Sequence, residues 1–139
     1  TECQLCELYC KNRKRHVYTI YPKYHGANGI MPRVARGDAV DSVRSAHGSG
    51  PLCPDPLTTS TDKRSPDVRA NFIGVVRRTD KVTPHTALGC GTEAPGLTTH
   101  SPDVFANNLH IGRLGDDYRT GGDGGSNIIT SGSPDVFAN

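Results

Sequence analysis

Apolar and polar positions alternate over short distances in this chain, and nowhere does a sustained 3.6-residue apolar period mark a helix. The clearest case is Ser65 to Asn71, where Val68 and Ala70 share one face of an extended segment and Arg69 and Asn71 the other. Pro66 stands at the first strand residue, where its missing N–H removes no ladder bond. Asn71 falls where the chain must reverse, and asparagine accepts a left-handed backbone more readily than most residues. The pattern predicts a strand, a tight turn, and a second strand running to Val75-Val76-Arg77-Arg78-Thr79-Asp80.

This pattern recurs. Ser-Pro-Asp-Val-x-Ala-Asn stands at Ser65 to Asn71, Ser101 to Asn107 and Ser133 to Asn139. Fifteen residues after the first two serines come Asp80 and Asp116, so the repeating unit is longer than the heptad. The third heptad has no second strand after it, while Val34-Ala35-Arg36-Gly37-Asp38 is a second strand with no heptad before it. Pairing of Asp135 to Asn139 with the segment at Pro32 to Arg36 would close three hairpins into a pseudo-threefold ring without an unpaired edge. Asp38 is expected at the position of Asp80 and Asp116, which gives Arg36-Gly37-Asp38 a structural reading ahead of an integrin-type one. The predicted class is all-β, with residues 31–139 as the repeat domain and residues 1–30 an extension outside it.

Composition agrees with this. Hydrophobic residues make up 34%, with three Phe, no Trp and one Met, a thin supply for a core that then needs a staple. Residues 1–30 hold five Lys/Arg against two Glu, leaving eleven Lys/Arg against twelve Asp/Glu in the remainder. A near-neutral repeat domain argues against nucleic-acid binding, which needs clustered positive charge. No stretch reaches signal-peptide or transmembrane length, and cytosolic synthesis is the simplest reading. In that compartment Cys mixed with His points more often to metal than to disulfide. Cys3, Cys6 and Cys10 with His16 form one weak zinc pattern; alternatively Met31-Pro32 is an initiation point and what precedes it a tail.

Two long connections each carry a His followed by a Cys: His47 with Cys53, five residues between, and His85 with Cys90, four between. A ring of hairpins would bring these connections together, and two nitrogens with two sulfurs suit a closed tetrahedral structural site. Such a site stabilises small metal domains by about 10–16 kcal/mol at neutral pH. Exposed loop histidines with small buried thiols give the same sequence without a metal. His100 and Asp123 are substitute ligands, His100 lying at a strand start before Ser101. No nucleophile elbow, His-Glu-x-x-His, P-loop or dinucleotide fingerprint is present. Asp67, Asp103 and Asp135 recur for one structural reason, a turn or strand-entry hydrogen bond after proline.

Taken with Gly132-Ser133-Pro134-Asp135-Val136-Phe137-Ala138-Asn139 and the matching Ser101 to Asn107, these residues resemble the PAAR-repeat proteins, in particular the small tip proteins of contractile-tailed phages. Pro32 and Gly37-Asp38 stand at the family's proline and Gly-Asp, Arg36 falls one place late, and Gly74 and His110 replace the proline elsewhere. The resemblance implies a β-hairpin cone with zinc, or iron, near its apex, held by His47, Cys53, His85 and Cys90. It implies a non-enzymatic baseplate tip of the virion tail that caps a trimeric β-helical central spike and contacts the target outer membrane transiently. A type VI secretion spike tip is the nearest alternative. A delivered metal-dependent hydrolase using His47, His85 and Asp123, and a nucleic-acid or adaptor module built on residues 1–30, are the rivals from other classes.

Overall fold

The structure, a computed structural model, describes residues 31–46, 57–87, 91–118 and 125–139, together with the backbone of Tyr18 and Thr19. Every regular element among the described residues is a strand, which makes the chain all-β. In order they are β1 (Tyr18–Thr19), β2 (Ser42–Ser45), β3 (Leu57–Ser60), β4 (Val68–Ala70), β5 (Ile73–Gly74), β6 (His85–Ala87), β7 (Gly91–Glu93), β8 (Phe105–Ala106), β9 (Leu109–His110) and β10 (Asn127–Ile129).

The first two heptads open hairpins. Ala70 pairs with Ile73 and Ala106 with Leu109, each across a two-residue turn. Both turn residues have positive φ: 50° and 69° at Asn71 and Phe72, 52° and 62° at Asn107 and Asn108. These are the signs of a type I′ turn, whose twist matches that of the strands it joins. The third heptad pairs with the segment beside Pro32. Arg33 lies antiparallel to Phe137, Val34 N donates to Val136 O at 2.9 Å, and Ala138 N donates to Pro32 O at 3.0 Å.

The second strands bond to one another in a cycle. Ala35 N donates to Gly112 O at 2.9 Å, Gly112 N to Val76 O at 2.8 Å, and Val76 N to Ala35 O at 2.9 Å. Strand alternation lets these segments serve two cores. Val34, Val75 and Ile111 join Ala70, Ala106, Val136 and Ala138 in one cluster. Ala35 and Val76 join Val43, Val82, Leu97, Tyr118 and Ile129 in the other. The third residue of that inner set is Gly112, where a Cβ would lie 2.7 Å from Leu97 Cδ2 and 3.4 Å from Val76 Cγ1. Tyr118 is fully buried, and its hydroxyl has no hydrogen-bond partner among the described residues. Burial, aided by the negative charges of Asp80, Asp41 and Asp62, drives its ionisation far above the ordinary tyrosine range.

Side chains of the heptads lock the arrangement. Ser65, Ser101 and Ser133 are fully buried, and each Oγ accepts from the backbone N–H three residues on, at 2.9, 3.1 and 3.0 Å. Each heptad asparagine then crosses to another heptad's aspartate: Asn107 Nδ2 to Asp67 at 2.7 Å, Asn71 Nδ2 to Asp135 at 2.7 Å, and Asn139 Nδ2 to Asp103 at 2.9 Å. The expected strand-entry bond after proline is present, with Ser65 Oγ 3.1 Å from Asp67 Oδ1.

One expectation is corrected. Arg77 and Arg113 each clasp the carboxylate three residues on, through backbone N, Nε and Nη2, as Asp80 and Asp116. The carboxylate that takes the same three bonds from Arg36 is Asp41, 99% buried, and not Asp38. A two-residue turn at Asp38 and Ala39, with φ of 54° and 60°, is inserted before it. Asp38 is instead exposed and pairs with Arg64. With its guanidinium clasped, Arg36 does not present an Arg-Gly-Asp tripeptide.

The connections expected to be bare loops have strands of their own. β2 pairs antiparallel with both β3 and β10, and β6 with β7. Bridges Thr61–Val82, Lys81–Gly96 and Asp117–Ile128 tie these pairs together. From the first thirty residues, β1 runs parallel to β4, with Tyr18 opposite Val68 and Thr19 opposite Arg69.

Candidate functional site

Beyond the inner core the same strands turn from apolar to polar. On β2, Val43 enters the core and Ser45, two residues on and facing the same way, is fully buried; on β10, Ile129 enters the core and Asn127 is fully buried. β6 and β7 add His85 and Glu93, which are cross-strand partners. Four side chains from three chain segments thus meet at the roots of residues 47–56, 88–90 and 119–124.

Glu93 Oε1 is the hub. It lies 3.0 Å from His85 Nε2, 3.2 Å from Ser45 Oγ and 3.1 Å from Asn127 Nδ2. His85 Nε2 is also 2.9 Å from Ser45 Oγ, while its Nδ1 faces the Thr83 carbonyl at 2.8 Å. Asp117 Oδ1 accepts from Asn127 N at 2.8 Å, and Asn127 Oδ1 is buried with no hydrogen-bond partner among the described residues.

This geometry separates two kinds of chemistry. A serine nucleophile with a histidine base needs the orienting acid on the ring nitrogen remote from the serine. Here Ser45 and Glu93 share Nε2, and a backbone carbonyl holds Nδ1, so the trio does not form that relay. A backbone carbonyl on Nδ1 is the partner that metal-bound histidines commonly have, because it leaves the Nε2 lone pair directed at the metal. Imidazole nitrogen and carboxylate oxygen are both zinc donors. His85 and Glu93 therefore fit as two members of a ligand set, although among the described residues no three His, Cys, Asp or Glu side chains stand close enough to hold a metal ion.

Of the residues singled out from sequence, His85 is placed in this layer. His47, Cys53, Cys90 and Asp123 lie outside the described residues, as do Cys3, Cys6, Cys10 and His16. His100 lies with the second heptad hairpin: Nδ1 is 2.9 Å from Ser101 O, and its ring stacks on His110 at 4.3 Å. Phe105 covers the same His110 ring at 4.2 Å. Sequence reasoning missed Glu93, Ser45 and Asn127. The available signal was Glu93's place eight residues after His85 and three after Cys90 in the sequence. Comparison of the chain with protein-family models, with curated proteins and with solved structures gave no match.

Proposed function

We propose that the chain is a non-enzymatic spike tip of PAAR-repeat type: a tapered cone of three pseudo-equivalent β-hairpins whose heptad end caps a trimeric β-helical central spike. The observation that carries this reading is the cycle of backbone bonds through Ala35, Gly112 and Val76, completed by the chain end against Pro32 to Val34. A pseudo-threefold surface can meet three subunits at once, and bonds in a cycle resist load along their common axis better than an open sheet edge. The narrow end would be stapled by zinc, or iron, drawn from His47, Cys53, His85 and Cys90, with Glu93 as a further donor beside His85. A bound metal would supply the stability that so small a core lacks. Residues 31–139 form this unit, with residues 1–30 appended. In this reading the protein sits at the baseplate tip of a contractile phage tail, touches the target outer membrane transiently and binds no nucleic acid.

Two measurements on the full chain test it. Elemental analysis should find stoichiometric zinc or iron, and chelation should lower the melting temperature; no bound metal and no effect of chelator would remove the staple. Mixing with a trimeric β-helical spike fragment should give a complex of one chain per trimer by light scattering. A chain that stays monomeric in that mixture would remove the partner.

A further inference from the structure

We propose that the flank made by residues 63–81 carries a groove that binds a phosphate group, presented by a lipid headgroup or by a soluble phosphate compound. This inference stands on charge and shape alone and does not depend on the spike-tip reading.

The pseudo-equivalent segments supply an internal control. Residues 63–81 carry six Lys/Arg against two Asp, whereas the corresponding residues 99–117 carry one Arg against three Asp. Arg64 and Arg77 are held by Asp38 and Asp80, but Arg78 and Lys81 stand where the other segment has Leu114 and Asp117, so the shared hairpin does not require them. An open groove of about 380 Å³ lies on this flank, lined by Arg78, Thr79, Lys81, Gly96, Leu97 and Thr98. Arg78 and Lys81 are exposed, and no carboxylate lies within ion-pair reach of either among the described residues. Asp80 stands between them in sequence, but both its oxygens are taken up by Arg77.

The groove's third polar group sits in a strained place. Thr79 has φ of 72°, a left-handed conformation that β-branched residues rarely adopt, and the equivalent turn uses Gly115 at 90°. A guanidinium, an ammonium and a hydroxyl-bearing residue all line the groove, and these are the donor types that a tetrahedral oxyanion accepts. Two free cations are too few for a nucleic-acid duplex, whose binding typically rests on about 6–10 phosphate contacts.

The test is calorimetric titration of the full-length protein with inorganic phosphate at low salt. It compares the wild type with Arg78→Gln/Lys81→Gln and with Arg33→Gln/Arg44→Gln, which removes the same charge from exposed positions outside the groove. Saturable binding that weakens at least about tenfold in the first variant and is kept in the second is the expected result. Flotation with phosphatidylcholine vesicles containing phosphatidic acid, against phosphatidylcholine alone, then assigns the source. Co-flotation points to a lipid headgroup, and phosphate binding without flotation to a soluble phosphate compound. Absence of saturable phosphate binding, equal loss in both variants, or binding of single-stranded RNA that survives Arg78→Gln/Lys81→Gln would overturn the proposal.

Discussion

The heptad end and the loop end of this molecule are built from the same three stretches of chain by opposite rules. At the heptad end every structural task is done three times by the same residue type: a buried serine caps a strand, an asparagine reaches across to an aspartate, and an arginine clasps a buried carboxylate. At the loop end each stretch contributes something different: Ser45 from the first, His85 and Glu93 from the second, Asn127 from the third. Threefold repetition of one bond makes a frame in which no single segment can shift without breaking contacts with two others. Divergence above that frame gathers unlike side chains at a common centre, which is what a binding site requires.

The largest effect should come from breaking the frame at its deepest ion pair. Asp41→Ala leaves the Arg36 guanidinium, 14% exposed, without its partner and is expected to lower unfolding free energy by about 3–5 kcal/mol in urea titration. Asp38→Ala removes only an exposed pair with Arg64 and should cost less than about 1 kcal/mol. Equal effects would mean that Asp41 is not the buried partner that sets it apart from Asp38, and a larger loss from Asp38→Ala would reverse the assignment. Next, Leu97→Ala opens the inner core and should cost about 2–5 kcal/mol. Because Leu97 occupies the space a Cβ at Gly112 would need, Gly112→Ala should be destabilising in the wild type and nearly neutral in the Leu97→Ala background.

At the loop end the expected cost is smaller and local. Glu93→Ala deprives Ser45 and Asn127 of their shared acceptor, removes the carboxylate beside His85 and should cost about 1–3 kcal/mol. Hydrogen exchange should accelerate around β6, β7 and β10, while the Ala35, Val76 and Gly112 amides keep their protection. Loss of protection at both ends would show one cooperative unit and erase the contrast.

The smallest effect concerns acid. The Asn107 side chain, the largest influence, together with Ser65 and backbone amides, holds the Asp67 carboxyl below the ordinary aspartate range, against the opposing effect of partial burial. A carboxylate whose folded pKa is depressed contributes stability above its unfolded pKa and loses it as pH falls through the folded one. Melting temperature should therefore fall on acidification below about pH 4, less steeply in Asn107→Ala. The difference is expected to stay under about 1 kcal/mol, because Asp67 is exposed and screened.

Much of the frame was legible in the chain. Three copies of a heptad and an asparagine at each heptad turn are local signals, and local signals survive in sequence. Asp41 was not legible, because the turn at Asp38 and Ala39 lengthens the spacing from arginine to carboxylate from three residues to five. β2, β3, β6, β7 and β10 were missed because each is only three or four residues long, too short for apolar alternation to betray a strand. Glu93 escaped notice because metal-ligand reasoning from spacing looks first for His and Cys. The charge contrast between residues 63–81 and 99–117 was hidden by averaging over a near-neutral domain.

By itself, then, the order of residues determined that hairpins would form and where they would turn, since these depend on backbone preference and strand pairing over short spans; the long-range pairing of the last segment near Pro32 was legible only because the repeats left one strand over at each place. The tertiary structure alone decided which carboxylate each arginine clasps, that one of three equivalent inner positions must be glycine, and that serine, histidine, glutamate and asparagine from separate stretches share a hub. Those outcomes depend on distances between segments far apart in the chain, and such distances exist only once the ring has closed.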